Sequence, residues 1–371
     1  MILKKNQEGV FTVSFLLLPE YAMVALLSAI EPMRVANRFA GKEVFRWQLL
    51  TEDGDTVDAS NQLAISRPIG MHDVPPPDNL FVCSSFNPEK HVRPETVSWL
   101  KKLSRQGTLI GAMDTGCYWL AEAGLLKGKQ VTMHWEAVPA FQEKYPGVHV
   151  SNELFEIDGS LITCAGGTSA IDMMLDIIQT ELGHELAVSI CEQFIKNGIR
   201  QKSDKQRMDL AARLNVHHPR LLKVLTHMED TLEHPLSSSQ LAEYACLSIR
   251  QLERLFQKHL GCSPSRYYLK LRLMRARQLL RQTSMSIIEV ASACGFVSTP
   301  HFSKCYRAYL GIPPRDERRG VQGSENCDPQ PIVPGRIRAG VNSRLAEQRP
   351  TSIAALSEAK NEPSYGSVAL G

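Results

Sequence analysis

GTLIGAMDTGCYWLAEAGLL, residues 107–126, joins three kinds of local sequence: an apolar run (109–113), a turn (Asp114-Thr115-Gly116) and a helix-like stretch (117–126). The run is short and continuously apolar, the pattern of a strand buried on both faces of a parallel sheet. A sharp strand-to-helix turn lifts its side chain above the sheet, which is how α/β enzymes present a nucleophile. Here the turn carries a carboxylate, and the nearest thiol, Cys117, follows three residues later.

The same alternation extends on both sides. FTVSFLLLP (11–19), RWQLLTED (46–53), DNLFVCSS (78–85) and GSLITCAGG (159–167) read as further strands, with amphipathic helices between them. This predicts an α/β doubly wound, flavodoxin-like domain with a largely parallel sheet. Ligands on such sheets lie beyond the carboxyl ends of the strands, so the tips of interest are Pro19-Glu20, Ser84-Ser85, Asp114-Thr115 and Gly166-Gly167-Thr168. Lys4 and Lys5 ahead of the apolar stretch 10–18 imitate a signal peptide. Glu8, Thr12 and Ser14 interrupt that pattern and no small-x-small cleavage site follows, so a buried first strand is the reading adopted. No stretch has the ~18 continuous apolar residues that crossing a bilayer requires.

With 371 residues and 43% hydrophobic content, the chain has material for two cores. Its formal net charge of +3 hides a strong asymmetry. Residues 1–216 hold 21 Lys and Arg against 26 Asp and Glu, residues 217–319 hold 16 against 8, and residues 320–371 hold 5 against 5. A basic excess confined to about a hundred residues points to nucleic acid. The nine cysteines are scattered, without zinc-ligand spacing, and His217-His218 lacks partners for a ligand set. No metal, cofactor or disulfide framework is therefore expected, and the chain reads as cytoplasmic. Residues 197–219 read as a polar linker, and 318–371, rich in Pro, Gly, Ser and Ala, as a disordered tail.

The basic part contains a repeat. LAEYACLSIRQLERLFQKHLGCSP (241–264) and VASACGFVSTPHFSKCYRAYLGIPP (290–314) each give a short helix, a turn ending in Ser and a longer helix closed by Leu-Gly. The short helices match at an offset of 49 and the longer ones at 50, so the second turn is one residue longer. Ser237/Gln240, Ser248/Gln251 and Ser286/Glu289 have capping-box spacing, and Ser263-Pro264 starts the joining helix. This is a duplicated helix-turn-helix. Leu252, Leu255, Phe256 and Leu260 form one apolar stripe, and Phe302, Tyr306 and Leu310 the other. Arg250, Gln251, Arg254 and Lys258, then Thr299, His301 and Lys304, are left to face outward.

Residues 220–317, through GFVSTPHFSKCYRAYLGIPP, resemble the DNA-binding domain of the AraC family of bacterial transcription regulators. The resemblance implies two recognition helices entering successive major-groove faces of promoter DNA. By position, Arg250, Gln251 and Arg254, with Lys258 beside them, would serve one half, and Thr299, Pro300, His301 and Lys304 the other. Ser248 and Ser298 would cap and touch phosphate.

LLLPEYAMVALLSAIEPMRVAN, LAEAGLLKGKQVTMHW and ITCAGGTSAIDMMLDII give the first domain (10–196) a resemblance to the class I glutamine amidotransferase-like, or DJ-1/PfpI-like, domain of the GlxA-type branch of those regulators. Members of that branch often sense small nitrogenous metabolites such as arginine, carnitine or glycine betaine. Active amidotransferase relatives carry cysteine where this chain has Asp114, and histidine near His134. A carboxylate cannot replace a polarizable thiolate, so no catalytic residue is expected, and Asp114 is expected to cap the following helix. An effector pocket is expected from Asp114, Thr115, Cys117, His134 and Trp135, with Tyr118 and Trp119 nearby and Glu20 and Glu31 flanking the first strand tip. Aromatic faces and carboxylates together suit a cationic amine. The resulting expectation is an effector-responsive activator of catabolic genes, homodimeric, working with RNA polymerase and not with membranes. The alternative is a cysteine hydrolase or amidotransferase using Cys117 and His134, fused to DNA-binding helices.

Overall fold

The computed structural model describes residues 2–319; the expected tail otherwise lies outside the described residues. The strands are β1 (Phe11–Leu17), β2 (Phe45–Thr51), β3 (Ile69–Gly70), β4 (Asn79–Ser84), β5 (Leu109–Asp114), β6 (Gln130–Thr132), β7 (His149–Ser151), β8 (Phe155–Asp158) and β9 (Leu161–Cys164). Seven form one sheet in the order β3-β2-β1-β4-β5-β9-β8, parallel throughout except for the β8–β9 pair. That hairpin turns at Gly159, whose φ of +67° suits glycine. β6 and β7 pair separately as a parallel two-stranded ribbon. The five strands expected from apolar runs are β1, β2, β4, β5 and β9. The other four are two to four residues long, too short to carry a periodic signal.

The helices of this part are α1 (Met23–Ala40), α2 (Pro88–His91), α3 (Pro94–Arg105), α4 (Cys117–Glu122), α5 (Val138–Lys144), α6 (Ser169–Leu182) and α7 (His184–Gln193). Helices α1, α6 and α7 cover one face of the sheet, where Phe15, Phe81, Met33 and Met173 are buried. Helices α3, α4 and α5 cover the other, over Leu16, Leu80, Val82 and Ile110. Neighbouring residues of β1, such as Phe15 and Leu16, thus bury into opposite cores. Each such side chain contributes about 1.5–3 kcal/mol. Leu3 is buried in the first core and Asn79 bonds the backbone of Lys4, so this domain begins before residue 10.

The basic part is helical: α8 (Leu210–Leu214), α9 (Pro219–Asp230), α10 (Ser238–Tyr244), α11 (Ile249–Leu260), α12 (Pro264–Gln282), α13 (Ile287–Ala293), α14 (Thr299–Leu310) and α15 (Pro314–Arg318). The pair α10–α11 and the pair α13–α14 are the two helix-turn-helix units, and α12 joins them. All three capping boxes form, at Ser237, Ser248 and Ser286, each satisfying two amides that a helix start leaves unpaired. The second turn passes through Gly295 at φ +72°. A Cβ there would come within 2.6–2.8 Å of Leu232 O, Glu233 O and Pro235, so only glycine fits.

The segment 197–219 differs from a free polar linker. Its first half is strapped to the α/β domain, and its second half joins the helical core through Leu210, Leu214 and the buried Val216. The strap centres on Asp172, fully buried on α6. Lys196 Nζ donates to it at 2.8 Å, as do Arg200 N at 3.0 Å and Arg200 Nε at 2.8 Å. Lys202 adds an ion pair to buried Glu156 at 2.5 Å. Gln206 Nε2 donates to the carbonyls of Met133 and Glu153. A polar sequence here reflects polar anchoring. Asp172→Ala removes the buried partner of two partly exposed cations and of the Arg200 amide, and a loss of about 1–3 kcal/mol is expected by urea denaturation. A loss below ~1 kcal/mol would show the strap to be incidental.

Candidate functional site

β5 ends at Asp114, whose φ of +59° is left-handed, a conformation costing a non-glycine residue on the order of 1–3 kcal/mol. The neighbours enforce it. A Cβ on Gly116 would lie 2.4 Å from Val82 O, and one on Gly166 would lie 2.8 Å from Asp114 Cβ. The chain must therefore turn sharply beneath β4 and close beside β9. Asp114 O accepts from His134 N at 3.3 Å, and Thr115 Oγ1 donates to Ser85 O at 2.7 Å.

Asp114 does not cap α4. That helix starts at Cys117 with Gly116 as its cap, and no side chain bonds its first amides. The strained backbone aims the carboxyl away from the helix axis, to Ser85 Oγ at 3.3 Å. Burial pushes this carboxyl up to about 7, opposed by the long bond from Ser85 and reinforced by Glu136. So raised, the carboxyl is poorly solvated and titrates near neutrality, a site at which an added cation would be favoured.

Asp114 lines a cavity of about 420 Å³ with Thr115, Tyr118, His134, Ser85 and Phe86. The imidazole of His134 is held below its ordinary range by burial, against the pull of Glu136. Among the described residues the far rim is formed by Arg281 and Gln282, from the last turn of α12. Three of the expected pocket residues, Asp114, Thr115 and His134, thus meet, whereas four do not. Cys117 is fully buried with Sγ directed to Thr132 O at 3.5 Å, and burial pushes its thiol up to about 12. No hydrogen bond joins Cys117 to His134 among the described residues, so the hydrolase pairing has no geometric support. Glu20, at φ +60°, turns to Asn87 (2.7 Å) and His91 (3.2 Å). Burial opposes ionisation there, but those two bonds prevail and hold its carboxyl below the usual range. Glu31 pairs with Arg34 at 2.6 Å on the exposed side of α1. Trp135 faces away, with the Arg207 guanidinium 4.4 Å over its ring, and Trp119 is a core residue. Phe86, Glu136, Arg281 and Gln282 were absent from the expected set. Phe86 directly follows a strand tip, a signal that could have been used; the α12 residues give none.

On the helical part, Arg250, Arg254 and Lys258 recur every four residues along the exposed side of α11, and no hydrogen bond or ion pair engages them among the described residues. Gln251 is less free than expected: its Oε1 accepts from Ser248 N at 2.8 Å, closing the capping box. Bidentate reading of adenine would require that bond to break. On α14, Ser298 caps the helix, Pro300 and Lys304 are exposed, Thr299 is half-buried, and His301 Nε2 lies 3.4 Å from Cys305 Sγ. Val297, fully exposed just before the cap, is a further apolar group at this edge. Three arginines of α12 serve the fold: Arg272 donates to the carbonyls of Cys294 and Gly295 and stacks 4.0 Å from Phe296, while Arg277 and Arg281 meet buried Glu317.

Fold and surface together define a DNA-binding regulator fused to an α/β domain that carries an amidotransferase-type elbow without its thiol. Residues 241–320 match the helix-turn-helix domain family and residues 27–180 the DJ-1/PfpI family. The chain is similar to the HTH-type transcriptional regulator GbdR of Pseudomonas aeruginosa, 47% identical over 97% of this chain and 96% of that protein. CdhR of the same species is 48% identical over 82% of this chain and 90% of its own length. GlxA of Rhizobium meliloti is 34% identical over 86% and 99%. The chain belongs to the AraC-type helix-turn-helix transcription regulators that carry a DJ-1/PfpI domain. No helix among the described residues is long and apolar enough to cross a membrane.

A pH dependence follows from the elbow. The folded-state value of Asp114 lies above the unfolded one, so the native state holds the proton more tightly, and this contribution to stability is lost as pH rises from about 4 through about 7. Asp114→Asn keeps the shape and tolerates a left-handed backbone. The variant should exceed wild type in stability by about 2–4 kcal/mol at pH 8 and by little at pH 4, measured by urea denaturation. An equal difference at both pH values would contradict this.

Proposed function

We propose that this transcription regulator senses a small zwitterionic nitrogen compound, such as glycine betaine, carnitine or arginine, in the cavity above Asp114. The observation that carries the reading is a strained, buried carboxyl with a single weak hydrogen bond, set in a cavity sized for a small molecule. The cationic end would meet Asp114 and the rings of Tyr118 and Phe86, where each aromatic face contributes about 0.5–2 kcal/mol. The rim favours a zwitterion over a simple cation: Arg281 would repel a bare cation but accept a carboxylate. Because Arg281 and Gln282 end the helix joining the two DNA-reading units, an effector bridging the cavity would favour one arrangement of those units.

The acylation chemistry of active relatives has no place in this reading. The elbow offers a carboxyl, and the thiols around it, Cys83, Cys117 and Cys164, are buried and pushed up by that burial. On DNA, Arg250, Arg254 and Lys258 would serve one half-site and Lys304, His301 and Val297 the other, the two about 10–10.5 bp apart. Homodimeric action with RNA polymerase as an activator in the cytoplasm belongs to the same reading, and its support is the family.

Titrating the full chain by calorimetry with glycine betaine, carnitine, arginine and choline tests the effector. At least one zwitterion should bind at least tenfold more tightly than choline, and Asp114→Ala should abolish that binding. Unchanged affinity in a folded Asp114→Ala protein would place the effector elsewhere. Arg254→Ala should cost about 1–3 kcal/mol at a specific site and relax base preference at one position. An equal loss on random DNA would make Arg254 a phosphate contact.

A further inference from the structure

Beside the effector cavity lies a second one of about 500 Å³, between Trp135 and Pro139 on the α/β side and α12 on the helical side. Its charged groups divide by partner, and Glu136, on the wall shared with the Asp114 cavity, has no ion pair among the described residues. Glu229 is paired with Arg213 at 2.7 Å, and Arg277 and Arg281 both meet Glu317. Arg207 and Arg275 have no hydrogen bond or ion pair among the described residues. Burial holds both guanidiniums below their ordinary range; Arg213 adds to this at Arg207, where Glu229 opposes it, and Cys294 and Glu143 oppose it at Arg275. Two further polar atoms of α12 are buried without a partner, Gln278 Nε2 and Gln282 Oε1, and both residues line this cavity. Leaving such groups unpaired is costly, and water, an ion or a ligand completes them.

We infer that this cavity is a second ligand site, for a small organic carboxylate with an apolar body. Guanidiniums grip carboxylates through paired N–H bonds, and the Gln278 amide adds a donor. The apolar part of the wall comes from Leu232, Leu271 and Met274, and the volume suits a compact acid. The three elements brought together are the α/β domain through Trp135, the connector through Arg207 and the inter-unit helix through Arg275. A carboxylate held there would lock this arrangement, and with it the spacing of the two DNA-reading units. This site shares Glu136, Arg281 and Gln282 with the proposed effector pocket but not Asp114, where that pocket selects a cation.

The test is calorimetric titration of the full-length protein with butyrate, benzoate and succinate, with butyramide and benzamide as neutral counterparts. At least one carboxylate should saturate the protein while its amide does not. Arg275→Gln and Arg207→Gln should each weaken it at least tenfold, and Asp114→Asn should leave it within twofold. Arg207 lies in the connector outside any helix, so its variant remains informative if Arg275→Gln does not fold. No saturable carboxylate binding, equal binding of acid and amide, or unchanged affinity in folded Arg207→Gln would overturn the site. Equal loss in Asp114→Asn and the arginine variants would also overturn it, since one ligand would then span both cavities. Failure of every zwitterion at Asp114 with carboxylate binding intact would instead count against the effector reading alone.

Discussion

The arrangement depends on one constrained residue, Asp114, held in a left-handed backbone because β4 and Gly166 leave the chain no other path. The close approach of Gly116 to Val82 O fixes the turn, and the turn places a carboxyl above the sheet where water reaches it poorly. In an acyl-transfer enzyme the same strain exposes a nucleophile. With a carboxyl in its place, the strain and the desolvation would serve recognition of charge in the function proposed. Both lower the stability of the fold, as functional sites often do.

The sensor and the DNA-reading helices are coupled through short physical links. The connector is pinned by Asp172 and Gln206, and α12 ends at the rim of the elbow cavity. Arg272 of that helix also holds the second turn through the carbonyls of Cys294 and Gly295. A ligand that shifts the end of α12 therefore acts on the element that sets the separation of the two units, and unequal affinity for two such arrangements is all that regulation requires.

Much of this was legible in the sequence where the determining forces are local. Residues 107–126 disclose the elbow because a buried parallel strand must be continuously apolar and a tight turn must carry glycine. The helix starts at Ser237, Ser248 and Ser286 were legible because a capping box lies within four residues. The pocket was legible only in part. Glu20 is next to a strand tip, but its positive φ turns it to Asn87 and His91. Of the neighbours His134 and Trp135 only the first lines the Asp114 cavity, because the stretch between β6 and α5 is neither helix nor strand. Arg281 and Gln282 come from the other domain, and no local pattern announces a contact across that distance.

The central claim is that Asp114 meets the effector's positive charge as a carboxylate. Burial pushes that group up to about 7, so near neutrality the free protein holds part of a proton there, and a bound cation should expel it. Calorimetric titration of glycine betaine, carnitine or arginine, whichever binds, in two buffers of different ionisation heat between pH 6 and 8 measures that proton directly. The account predicts net proton release on binding that grows as the pH is lowered from 8 to 6, and none with Asp114→Asn. Tight binding with identical heats in both buffers would contradict it.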